Sequence, residues 1–168
     1  MNYGKKLFVH IPRTAGLSVL EALPGVVHAE GILSLHNLTV EDYWSFTITR
    51  HPLDRLVSLC GYIYRPHHLT PETFRRWVKD GFKKDGQVYV VGRLKPTAFD
   101  LCTPQVECLG DFRLNKTFRF ENLGELGLDL PHLNNSARSS WEDYYTDEIL
   151  DLAMRRYARD FTLGYELP

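Results

Sequence analysis

One short stretch, LFVHIPRTAGLSVLEAL from Leu7 to Leu23, constrains the fold more than any other. It opens as an apolar strand, breaks at Pro12 and continues with the apolar spacing of a helix. A strand that feeds directly into a helix is the start of a strand–helix–strand unit. GVVHA then reads as a second short strand. WSFTITR, Trp44 to Arg50, alternates and is rich in β-branched and aromatic residues, so it reads as a third. Strands that alternate with helices imply an α/β fold on a central, mainly parallel sheet.

Prolines and caps set the helix starts. Pro52 opens a helix with Leu53, Leu56, Val57, Cys60 and Tyr64 on its apolar stripe. TPETFRRWVKDGF is a further helix, with Thr70 as cap and Pro71 at its first position. TPQVECLGDF restarts a helix, KTFRFENL is a strand ending in a turn, and DLPHLNNSARSS is a polar loop. Thr146 caps a last helix that buries Ile149, Leu152, Ala153, Tyr157 and Phe161. ILSLHNLTVEDY is expected to be loop plus a helical turn or two. Residues 81–103, with glycines, lysines and a proline but no period, are expected to form a long loop. The helix after Pro12 is expected over Ala15 to Leu23, stopped by Pro24 and Gly25.

With 168 residues, the chain suits one domain over 1–168. Hydrophobic residues at 43% and charged residues at 24% are those of a globular protein. A net charge of −1 argues against a broadly basic nucleic-acid binder, although a local basic site remains open. Three cysteines, Cys60, Cys102 and Cys108, make no disulfide framework, and no Cys/His cluster has zinc spacing. No long apolar run follows MNYGKK, and no stretch approaches the ~18 apolar residues of a membrane span. A soluble, cytoplasmic protein is expected, with no membrane or nucleic-acid partner.

Two segments carry the chemistry. The start of a helix presents unpaired N–H groups, a ready anion site. In the opening stretch Thr14 and Ser18 add hydroxyls, Gly16 allows close approach to the backbone and Arg13 adds charge. The pattern is not G-x-x-x-x-G-K-[ST], so this is no Walker A loop. In TITRHPLDRLVSL, Arg50 ends a strand and Ser58 lies about two turns into the next helix. Ligands of open parallel sheets sit outside the carboxyl ends of strands, where Arg13 and Arg50 both fall. The competing picture has Arg13 solvated, Arg50 paired with Asp54 and Ser58 on a helix surface.

FVHIPRTAGLS resembles the 5′-phosphosulfate-binding loop of the sulfotransferase superfamily, in the style of the carbohydrate (family 2) sulfotransferases, which read F-x-H-I-P-K-T-A-G-T-S. TITRHPLDRLVSL resembles that family's 3′-phosphate segment, V-R-N-P-x-x-R-L-V-S. FRFENL, LPHLNNSAR and YYTDEILDLAMRRYARDFTLGY resemble its C-terminal half, so the resemblance runs along nearly the whole chain in order. It implies a P-loop-like three-layer fold with helices flanking the sheet. It also implies 3′-phosphoadenosine 5′-phosphosulfate (PAPS) as sulfuryl donor, without a metal. By the same resemblance Arg13, Thr14, Ala15, Gly16, Leu17 and Ser18 line the 5′-phosphosulfate, Arg50 and Ser58 hold the 3′-phosphate, and Ser136 and Arg138 close over the nucleotide. The chain departs from the family at position 13, arginine for lysine, and at Leu17, where the family has threonine.

Sulfuryl transfer needs a base for the attacking hydroxyl or amine. His28, at the end of the second strand, is the expected base, and the HAE segment resembles the region where related heparan sulfotransferases carry theirs. Glu30, His36, His10 and His51 are the alternatives, His10 as a buried strand residue and His51 as a structural one. Lys83, Lys84, Arg93 and Lys95 in the 81–103 segment are candidates to recruit an anionic acceptor such as an acidic sugar, or are simply solvated. Two other functions compete: an ATP-dependent phosphotransferase, disfavoured without a Walker A lysine, and a nucleotide-binding module without turnover.

Overall fold

A computed structural model describes residues 5–30, 40–65, 69–87, 90–91, 99–131 and 138–168. By contact these fall into two compact units, Met1–Arg50 with Gln105–Asn135, and His51–Pro104 with Ser136–Pro168.

The first unit holds the sheet. Its strands are β1 (Lys6–His10), β2 (Val27–Glu30), β3 (Trp44–Thr49) and, near the other end of the chain, Lys116–Arg119. Numbering the strands in chain order makes this last one β6. All three pairings are parallel, in the order β2-β1-β3-β6. The expected α/β class with a parallel central sheet is what the chain adopts. Parallel strands are covered on both faces, and β1 shows it: Leu7, Phe8 and Val9 are all buried, although they alternate in direction. On one face Phe8, Phe46, Ile48 and Phe118 cluster with Val19 of helix α1 (Gly16–Ala22). On the other, the buried hydroxyls of Thr47 and Thr49 donate to the carbonyls of Val9 and Phe118, at 2.7 and 3.3 Å. Polar β-branched residues therefore sit inside the sheet without an unsatisfied donor. The unit also contains the one-turn helix α4 (Gln105–Leu109) and a 3₁₀ segment, Phe120–Leu126, directly after β6.

The second unit is mainly helical. Helix α2 (Pro52–Ile63) buries Leu53, Leu56, Val57, Cys60 and Ile63 against α3 (Pro71–Lys79) and α5 (Asp147–Tyr157) residues such as Phe74, Trp77, Ile149 and Ala153. The caps are those the sequence predicts. Thr70 accepts from the Thr73 N–H at 3.2 Å, and Thr146 from the Ile149 N–H at 3.4 Å. Pro52 and Pro71 each occupy the first turn.

Two expectations need correcting. The segment 81–103 is not plain loop. Lys84 and Gln87 form a bridge, and β4 (Val90–Val91) pairs antiparallel with β5 (Phe99–Asp100). Strands of two residues carry no readable period. Phe82 is buried against Trp77 and Tyr157, with ring centroids 5.2 and 5.3 Å away, which ties the start of the segment to the helices. The other correction is at α1, which begins at Gly16 rather than Ala15. Ala15 is its cap and lies in the left-handed region, with φ 67°.

Candidate functional site

The sheet order fixes where a ligand can sit in the first unit. From β1 the chain crosses to β2 on one side. From β3 it reaches β6 on the other. The directions diverge between β1 and β3, and a crevice opens at the carboxyl ends of strands at such a point. The residues just past those two ends are Ile11–Ala15 and Arg50.

Arg50 is buried there, 8% exposed. Its main chain is clamped by the fully buried Gln105 of α4. The Arg50 N–H donates to Oε1 at 2.9 Å, and Gln105 Nε2 donates back to the Arg50 carbonyl at 2.8 Å. The clamp holds the strand end without using the guanidinium. That group lies 4.1 Å from the centre of the Phe120 ring and donates through Nη1 to the Arg13 carbonyl at 3.2 Å. A cation is therefore oriented by a ring face and by the β1–α1 loop at once. Asp54, the expected alternative partner of Arg50, pairs with Arg138 inside the second unit.

The loop after β1 is strained. Arg13 and Ala15 both have positive φ, 70° and 67°. Left-handed backbone at non-glycine residues costs of order 1 kcal/mol each, and such strain concentrates at ligand sites. The buried Thr14 hydroxyl donates to the Ile11 carbonyl at 2.7 Å, tightening the turn. Ser18 is buried in α1, and Leu17 is 58% exposed. Helix α1 has only seven residues and no side-chain cap, so its dipole adds little, and positive charge here rests on the arginines.

Gly16 has a role the sequence did not show. A Cβ there would lie 1.9 Å from Nε2 of His10. The missing side chain makes room for that ring. His10 is thus no closed core residue. It is half-buried, and its Nδ1 lies 3.3 Å from Nε2 of His28, so the expected base and its alternative touch. Phe8 packs against both rings.

The other expected residues belong to the second unit or lie outside the described residues. Ser58 is buried on α2 rather than on a helix surface. Arg138 makes its ion pair with Asp54 in the first turn of α2. His51 is stacked on Trp141 at 4.8 Å with Phe161 and Tyr165 edge-on. Lys83 is exposed, whereas the Lys84 ammonium donates to the Ile63 carbonyl at the end of α2. Ser136, His36, Arg93, Lys95 and the side chain of Glu30 lie outside the described residues.

In the second unit, burial pushes the Cys102 thiol up to about 12, and burial with Cys102 close by raises Cys60 as well. Among the described residues no group of three metal-ligating side chains occurs, and no helix is long and apolar enough to cross a membrane. Gln105, Phe120 and the contact between His10 and His28 were missed by the sequence. Each joins positions at least 18 residues apart, and no local pattern marks them. No family model, curated protein or solved structure matches this chain.

Proposed function

We propose that the chain is a PAPS-dependent sulfotransferase that moves a sulfuryl group to a hydroxyl or amine of a small or carbohydrate acceptor. The observation that carries it is the buried Arg50 guanidinium at the point where the crossovers diverge, bonded to the carbonyl of Arg13. A buried fixed cation beside a strained loop suits a ligand with more than one anionic group. PAPS would supply the sulfuryl group and a phosphate that can leave without a proton.

The roles are those that the family resemblance implies, and the charges present suit them. Arg50 holds the 3′-phosphate, and Arg13, Thr14, Ala15, Gly16, Leu17 and Ser18 surround the 5′-phosphosulfate. Arg13 offsets the charge that develops on the leaving phosphate. Its planar fork favours two oxygens at once, where a lysine would act as a point charge. His28, on the strand beside β1, takes the acceptor's proton. Ser58, Ser136 and Arg138 are carried on the resemblance alone.

Calorimetric titration with 3′-phosphoadenosine 5′-phosphate (PAP), and with ATP and magnesium, tests this. The proposal expects PAP to bind at least about tenfold more tightly, a difference of about 1.4 kcal/mol. Equal affinity, or a preference for ATP with magnesium, overturns it and favours phosphoryl transfer.

A further inference from the structure

The two histidines at the β1–β2 end do more than stack. His28 Nε2 and His10 Nδ1 lie 3.3 Å apart, with ring centroids separated by 5.4 Å. At that distance one nitrogen carries a proton that the other accepts. The far side of His10 is fixed as well, since its Nε2 lies where a Gly16 side chain would be. The Phe8 ring, stacked on His10 at 5.6 Å, limits rotation from a further side.

We propose that His10 and His28 form one proton-sharing unit, in which His10 is a positioning residue that fixes the tautomer and orientation of His28. As a statement about catalysis this rests on the sulfotransferase proposal. As a statement about proton binding it does not. In the reaction, the acceptor oxygen forms a bond to sulfur. The bond from sulfur to the bridging oxygen breaks, and its electron pair stays on the phosphate. The acceptor's proton passes to the histidine pair. A second positive charge on the adjacent ring is opposed by the first, so the pair accepts one proton readily and the next only at lower pH.

The charged residues on the surrounding elements bear on that balance. Lys6 stands at the far end of β1, and Glu30 on β2 is in register with His10. Glu21 lies on α1, Arg13 in the loop, and Glu121 and Glu125 on the 3₁₀ segment. On β3, the residues sharing the histidines' face are Trp44, Phe46 and Ile48, none of which titrates, and on β6 Lys116, in register with Phe46, shares it with its ammonium over the Phe118 ring.

The test uses the full chain with ¹⁵N-labelled imidazoles, followed by long-range ¹H–¹⁵N spectra against pH. His10→Asn and His28→Asn assign the signals. The expected result is that the two rings titrate together in two steps more than about one pH unit apart. In His10→Asn, His28 should revert to a single step. Gly16→Ala, which forces the His10 ring aside, should also uncouple the pair. Two independent single-site curves in the wild type, or a His28 curve unchanged by His10→Asn, would overturn the proposal. No donor or acceptor is needed, so a coupled pair in a protein that ignores PAP would discard the sulfotransferase proposal and keep this one.

Discussion

Arg50 and Arg55 stand five residues apart in the chain, both buried, and their surroundings differ. Arg55, on α2, is 0% exposed and donates through Nη2 to the Leu101 carbonyl at 3.1 Å, within the helical unit. Arg50, past the end of β3, keeps its main chain fixed by Gln105, while its guanidinium meets a ring face and a loop carbonyl. In one case the charge itself supports the fold. In the other a second side chain, Gln105, secures the main chain. Burial of an arginine alone therefore does not mark a binding residue. What sets Arg50 apart from Arg55 is that its backbone is held by another side chain, at the carboxyl edge of a parallel sheet.

The largest effect that would break this comparison is on stability. Arg55→Ala removes a sealed side chain, leaves a cavity and strips the Leu101 carbonyl of a charged donor. A loss of about 3–5 kcal/mol is expected in urea unfolding. Arg50→Ala should cost only about 1–2 kcal/mol. Equal losses would mean that Arg50 also serves chiefly the fold. Gln105→Leu comes next, because it strands the N–H and the carbonyl of Arg50 in a buried place. About 2–4 kcal/mol should be lost by the same assay, and a neutral result would remove the clamp from the account.

Alkaline pH sharpens the comparison further. In the helical unit burial holds the phenols of Tyr145 and Tyr157 well above their usual 10.0, and Cys102 above its usual 9.0. The two phenols donate to the Leu53 and Cys102 carbonyls at 3.0 and 2.5 Å. Because these pKa values are raised in the folded state, the unfolded chain releases these protons first. The groups cost no stability below about pH 9, and stability falls as pH rises through 9 and 10. Each such group steepens the fall by about 1.4 kcal/mol per pH unit. Tyr157→Phe should flatten that limb in unfolding measured from pH 8 to 11. A limb of unchanged steepness would assign the alkaline loss elsewhere. The smallest effect lies at the loop. Ala15→Gly relieves left-handed backbone and should stabilise by up to about 1 kcal/mol, read as a small rise in Tm.

What the sequence reveals divides along the same line. Helices α2, α3 and α5 were legible from proline, threonine caps and a 3.6-residue period, because those signals are local. Strand β3 was legible from its alternation. The positions of Arg13 and Arg50 at strand ends were legible too. Their conjunction was not, since it depends on Gln105 and Phe120, which lie 55 and 70 positions beyond Arg50 in the chain. Positive φ at Arg13 and Ala15 could not be foreseen, because neither residue is a glycine. The need for glycine at position 16 was read as room for an anion at the backbone, and the seat it also gives the His10 ring was not legible.

The central claim is that Arg50 is presented to a 3′-phosphate. The direct measurement is the Kd of PAP and of AMP for the wild type and for Arg50→Ala, at one ionic strength and without magnesium. PAP and AMP differ by the 3′-phosphate alone. The account predicts that the wild type prefers PAP by tenfold or more, about 1.4 kcal/mol, and that Arg50→Ala loses that preference while binding AMP nearly as before. A wild type that binds both nucleotides equally, or an Arg50→Ala variant that keeps the full preference for PAP, would contradict it.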